Sequence, residues 1–231
     1  MIKIKKAGFT LSEMLIALSV VGVLAVLILP GLIKDSIGKG NMALLQSTVG
    51  AINDTVQNEM VKAGGTNYSA SKIATDPEGF LKTIDIAKSK GSGSLIFKPS
   101  AGYKNLNGST ITSVVDSFAA SAVLKNGAGV GISAYDEDTG YQVVAIDING
   151  AKGPNIAGVD YFELKIIGTN DFDTGEHIGD VGAFQTENSL SQVQNNCKSG
   201  VAADCYYLVE HSGFDSDYLN KDYTNNDKET K

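Results

Sequence analysis

The sequence predicts an α+β fold, one long N-terminal α-helix packed on an antiparallel β-sheet. Three observations carry this. Residues 9–29 form an apolar run long enough to cross a bilayer. After Pro30, apolar residues recur at helical spacing up to Met60. Beyond residue 90 the pattern changes to short β-branched and aromatic segments separated by turn residues. Helices first and strands after, without βαβ alternation, place the sheet over the second half of the long helix.

The first element opens with a basic leader, Met-Ile-Lys-Ile-Lys-Lys-Ala-Gly. From Phe9 to Leu29 there are 21 residues, which as a helix reach about 31 Å, close to the ~30 Å hydrocarbon core of a membrane. Glu13 is the one ionisable side chain in that run. A charge at the centre of a span costs on the order of 3 kcal/mol, less near its end, so Glu13 marks a functional position that needs a cationic partner. With the leader removed after Gly8, the α-amine of Phe9 would stand at the positive helix end and neutralise Glu13, within one chain or between parallel neighbours. A secretory signal peptide would end in a small-residue A-x-A site, whereas this run ends in Leu29-Pro30-Gly31-Leu32-Ile33-Lys34. A plain anchor gives no reason for the acid.

Gly8-Phe9-Thr10-Leu11-Ser12-Glu13-Met14-Leu15 resembles the leader and processing site of type IV pilins and pseudopilins, and Gly22 and Pro30 fall where those families carry a glycine and a proline. Ser12 departs from the apolar residue common before the glutamate. The resemblance covers about the first thirty residues. It implies a pilin-like fold, cleavage after Gly8 by a prepilin peptidase, N-methylation of Phe9, and a charge pair between Glu13 and the Phe9 amine. It also implies a homo-oligomeric helical filament, with an assembly ATPase, a platform membrane protein and other pilins as partners. Gly22 and Pro30 weaken the helix. That weakness reads either as a membrane-helix kink or, as the resemblance favours, as a segment that unwinds on assembly. Two other readings are a pseudopilin of a type II secretion system and a membrane-anchored monomeric binding protein.

Lys3, Lys5 and Lys6 precede the span, so the positive-inside bias keeps the leader in the cytoplasm and sends the C-terminus across. The expected location is the inner membrane as a single-pass precursor and the cell-surface pilus once assembled. The organisation reads as leader 1–8, membrane and filament-core half 9–30, amphipathic half 31–62, globular domain 63–214 and flexible tail 215–231. The formal charge is −7, from 19 bases and 26 acids; an acidic chain disfavours nucleic-acid binding. On the oxidising side of the membrane, Cys197 and Cys205 are expected to form a disulfide, since a metal site would need more ligands than nearby His211 supplies.

Leu45, Val49, Ile52, Val56 and Met60 make the core stripe of the amphipathic half, with Gln46, Asn53, Asp54, Asn58 and Glu59 facing away and Ala63-Gly64-Gly65 ending it. Thr75-Asp76-Pro77-Glu78 opens a second helix with Phe80, Leu81, Ile84 and Ala87 inward. Strands are expected at residues 95–98, 111–115, 122–125, 129–135, 141–148 and 160–167, with Asn126-Gly127 a tight turn and 136–140 a hairpin loop. Residues 168–196 show no clear pattern.

Little of the remaining chemistry points to catalysis. Gly127-Ala128-Gly129-Val130-Gly131 has the wrong spacing for a nucleotide loop and leads into a strand, not a helix. His177 and His211 stand without a nucleophile-and-base set, and Asp136 with Asp138 reads as a solvated turn. No enzyme activity, resident metal or cofactor is expected. The stretch from Asp147 to Asn155 with Asp160-Tyr161-Phe162 resembles a segment in the sheet of many bacterial pilin-like proteins. Asp147 and Asn149 offer oxygens two residues apart before the bend at Gly150, the start of a calcium loop. The loop lacks later acids and carries Lys152, so Asx capping of a turn is the reading preferred here.

Overall fold

The computed structural model describes residues 10–111, 117–170 and 175–223, with side chains given outside residues 29–35. Gly8, Phe9, the expected strand beyond Ile111 and the tail beyond Tyr223 lie outside the described residues. The chain divides into two compact units, Met1–Gly40 and Asn41–Lys231.

In the first unit, helix α1 (Leu11–Lys62) begins, and it is helical through both Gly22 and Pro30. Leu11–Ile28 is long and apolar enough to cross a membrane, and none of it is buried within the chain.

The second unit contains the rest of α1, and its expected stripe is buried: Leu45, Val49, Ile52, Val56 and Met60, joined by Met42. Glu59 departs from expectation. It lies three residues after Val56 on the flank of that stripe, and it is buried, with Lys62 Nζ 2.5 Å from its Oε1. Gly64 and Gly65 end the helix at positive φ, and the Gly65 N–H donates to the Met60 carbonyl at 2.8 Å.

Two short helices follow, α2 (Lys72–Thr75) and α3 (Pro77–Leu81). The cap of α3 is Asp76: its Oδ1 accepts the Gly79 N–H at 3.0 Å, with Pro77 in the first turn. The helix stops at Leu81 instead of reaching Ala87, which is exposed in strand β1 (Ile86–Lys90). This strand carries Lys88 and Lys90 on the sheet edge, where charge discourages further pairing.

The sheet continues with β2 (Ala120–Leu124), β3 (Gly129–Ile132), β4 (Tyr141–Asp147), β5 (Tyr161–Ile167) and β6 (Val181–Gly182). All neighbours are antiparallel, in sequence order. The β2–β3 turn uses Asn126-Gly127 as expected, with Gly127 at φ +96° and Asn126 Oδ1 accepting the Ala128 N–H. The 136–140 loop closes the next hairpin through the Gly140 N–H to the Asp136 carbonyl.

One face of the sheet buries Ala122, Val130, Val144, Ile146, Phe162 and Leu164 in the cluster that holds the α1 stripe. The other face holds Leu95, Phe97, Tyr103, Phe118 and Tyr161. Residues 95–98 are therefore not a strand but a turn whose side chains seat on β3. A Cβ on Gly129 would lie 2.3 Å from Phe97, and one on Gly131 2.1 Å from Leu95, so the two glycines make the room those side chains fill.

The stretch without a clear pattern contains β6 and most of α4 (Leu190–Ser199), followed by α5 (Ala202–His211). Helix α4 opens on a reciprocal cap, the Gln192 N–H to Ser189 Oγ and the Ser189 N–H to Gln192 Oε1. Cys197 and Cys205 are bonded, pinning α4 to α5. The expected flexible tail is docked as far as Tyr223. Tyr218 and Tyr223 are buried, the Tyr218 hydroxyl donates to the Gly158 carbonyl, and Gln194 Nε2 donates to the carbonyls of Leu219 and Lys221.

Candidate functional site

The head of α1 is built by Thr10. Its N–H and its hydroxyl both donate to Glu13 Oε2, at 2.7 and 2.8 Å, while the Glu13 N–H reaches back to Thr10 Oγ1 at 3.3 Å. This is a capping box: threonine precedes the first turn and glutamate holds its third position, so each satisfies an orphan donor of the other. Such satisfaction matters where no water competes, because an unpaired backbone donor in hydrocarbon costs several kcal/mol. Thr10 went unnoticed in the sequence, although Thr-x-x-Glu before an apolar run is a recognisable start signal.

Below the cap, Ser19 is the next polar group, and its hydroxyl returns to the Leu15 carbonyl at 2.8 Å. Leu11, Leu15, Leu18, Val21, Val26 and Leu27 are all exposed. A Cβ added at Gly22 would meet nothing within 4 Å. The arrangement is an apolar rod bearing one acid at its head, with that acid held by a neighbour in its own chain. Phe9, the other half of the expected charge pair, lies outside the described residues.

Residues 3–29 match the family model described as the prokaryotic N-terminal methylation motif. The chain carries the type IV prepilin signature. No curated protein and no solved structure matches. The prepilin signature supports a pilin-like or pseudopilin protein, implies processing by a prepilin peptidase and assembly with other pilins, and with the one apolar helix fits an inner-membrane-anchored precursor. The pilin-type motif is structural and not enzymatic. Beyond it, the α+β arrangement of helix and six-stranded antiparallel sheet is consistent with a pilin fold.

Away from α1, the histidines keep separate surface partners, His177 beside Asp180 and His211 against Tyr207. Asp136 caps its own turn by accepting the Asp138 N–H. The Asp147 loop is more unusual. Asp147 and Asp160 are fully buried, and among the described residues neither makes an ion pair. Asp147 accepts from the Tyr103 hydroxyl at 2.8 Å and from the Asn149 N–H at 3.2 Å, the latter an Asx turn of the kind expected. Asp160, unremarked in the sequence as a charged group, accepts from Asn149 Nδ2 and from the N–H groups of Asn155 and Ile156.

Burial pushes the Asp147 carboxyl up to about 8, opposed by the Tyr103 hydrogen bond and reinforced by the nearby Asp160. Burial also raises Asp160. An unfolded aspartate releases its proton near pH 3.9, so between about pH 4 and 8 the unfolded chain is ionised at Asp147 while the native state keeps the proton, and each rise in pH favours unfolding. Its stabilising contribution is complete below that window and is lost as pH rises through about 8. In chelated buffer, wild-type melting temperature should therefore fall from pH 5 to 8.5 more steeply than that of Asp147→Asn, which mimics the protonated acid. Parallel slopes in thermal unfolding would remove this role from Asp147.

Proposed function

We propose that this chain is a structural subunit of a type IV pilus or related filament, cut after Gly8, N-methylated at Phe9 and assembled through its first helix. The observation that carries the reading is a single acid in the first turn of a membrane-length apolar helix, inside the methylation motif. Assembly moves Leu11–Ile28 from lipid into a bundle of like helices, where contact between closely packed side chains replaces contact with acyl chains. Glu13 then neutralises the α-amine of a neighbouring Phe9, and the region from Gly22 to Pro30 supplies a helix weak enough to unwind. The sheet domain, closed by Cys197–Cys205, forms the outer surface of the fibre. An assembly ATPase and a platform membrane protein drive its extrusion to the cell surface.

Gly8→Asp is expected to leave the leader attached and to abolish filaments, read as a retained precursor on mass spectrometry of the membrane fraction. Wild-type protein should begin at N-methylated Phe9. A wild-type chain that keeps Met1 to Gly8 in its working form would contradict the proposal. Imaging long fibres against short periplasmic ones separates a pilin from a pseudopilin.

A further inference from the structure

Strand β4 separates two surface features of opposite sign. Beyond Asp147, the β4–β5 connection carries Lys152 on an exposed tip formed by residues 151–154. The tip is braced from behind, with Asn149 Nδ2 donating to the Gly153 carbonyl at 3.4 Å and the Asn155 N–H to Asp160 Oδ2 at 2.8 Å. Lys104 lies exposed beside it, its N–H on the Asn155 carbonyl at 2.9 Å. Among the described residues neither lysine makes an ion pair. At the other end of the strand, a groove of about 380 Å³ opens between the 136–140 loop and Thr169, Asn170 and Glu176. Glu176 is neutralised by Lys165 Nζ at 2.6 Å. Glu137 and Asp138 line the same groove and, among the described residues, meet no cation.

We propose that the Lys152 tip of one copy of this chain seats in the Glu137 and Asp138 groove of the next copy. The two features match in shape as well as in sign, a protruding loop and a recess. They cannot meet within one chain, because the seven residues of β4 hold them about 20 Å apart. A contact between unlike ends is heterologous, and such a contact repeated from copy to copy builds an open helical fibre when the rotation does not close. Charge explains why the occupant is a lysine of this chain. The groove holds the three acids Glu137, Asp138 and Glu176 against the single base Lys165, so it keeps a surplus of negative charge. Copies of a chain with net charge −7 repel one another in most orientations, and a local pairing of opposite charges selects the one that is productive. A lysine suits a wet rim, since its ammonium keeps much of its hydration on a flexible stem. Lys104, at the base of the tip, adds to the positive field that steers the approach. The inference rests on the filament reading and adds to it a contact between the outer domains.

The test treats filaments sheared from cells with a carbodiimide, which joins a lysine amine to a carboxylate only where the two touch. Mass spectrometry should find Lys152 linked to Glu137 or Asp138, and the link should vanish when detergent dissociates the filaments first. Lys152→Glu should lower filament yield about fivefold or more through like-charge repulsion, with processing and membrane level unchanged because the side chain is exposed and unpaired in its own chain. Glu137→Lys combined with Asp138→Lys should do the same, and joining all three changes should return the yield to within about twofold of wild type. Fibres that contain the chain but not this link, undiminished yield from Lys152→Glu, or a triple variant no better than its halves would overturn the contact and leave the filament reading standing. Wild-type fibres without the chain would overturn both.

Discussion

Glu13→Gln is expected to be processed and membrane-inserted normally and yet to give filament yields at least as poor as Glu13→Ala. The pair of variants separates two roles that meet on one side chain. Glutamine is the other residue suited to the third position of a capping box, so it can still accept from the Thr10 N–H and hydroxyl now held by Glu13 Oε2. It cannot neutralise an amine. If charge pairing between subunits drives assembly, the cap is no rescue, because the partner amine is left buried and uncompensated, a loss of about 3–5 kcal/mol for a pair broken from one side. Shearing filaments from cells and comparing them with the membrane fraction reads the outcome. Near-normal yield from Glu13→Gln with poor yield from Glu13→Ala would assign Glu13 to helix capping and leave the charge idle.

Gly158→Ala should be strongly destabilising. Gly158 sits at φ +82°, strained for any side chain, and a Cβ there would lie 2.8 Å from Cys205 Sγ and 3.0 Å from both Cys197 Sγ and the Tyr218 hydroxyl oxygen. Neither sulfur can retreat, since the disulfide ties α4 to α5 with both cysteines fully buried. Backbone strain and overpacking each contribute about 1–3 kcal/mol, and together about 3 kcal/mol lowers the melting temperature of a domain this size by roughly 6–12 °C. Tyr218→Phe, which removes only the hydroxyl bonded to the Gly158 carbonyl, should lose about 1 kcal/mol. Thermal unfolding in detergent measures both. An alanine variant as stable as wild type would mean that this junction is looser than its packing indicates.

What could be read from the sequence followed the strength of local signals. The stripe from Leu45 to Met60 keeps one period for sixteen residues and is buried as expected, and Asn126-Gly127 fixes its hairpin because few other dipeptides accept that turn. Segments whose placement depends on distant partners were not legible. Leu95 and Phe97 have strand-like composition but are held by the space over Gly129 and Gly131, which no local pattern records. Strand β1 contains two lysines and an exposed alanine, so its apolar content is too low to announce an edge strand. Helix α4 did leave a trace in Ser189, Gln192 and Gly200, whereas α5 starts at Val201 without a side-chain cap. The tail resembled a frayed end by its polarity, but its tyrosines are what dock it. At the candidate sites, Glu13 was conspicuous by charge alone, while Thr10, Asn155 and Asp160 gain meaning only from the atoms they meet.

Electron cryomicroscopy of filaments sheared from cells tests the central claim most directly. The prediction is a fibre whose axis is lined by the helices from Phe9 to Ile28, each Glu13 facing the N-terminus of an adjacent subunit and each sheet domain outside. Fibres lacking this chain, or a bundle in which Glu13 meets only its own Thr10, would contradict it.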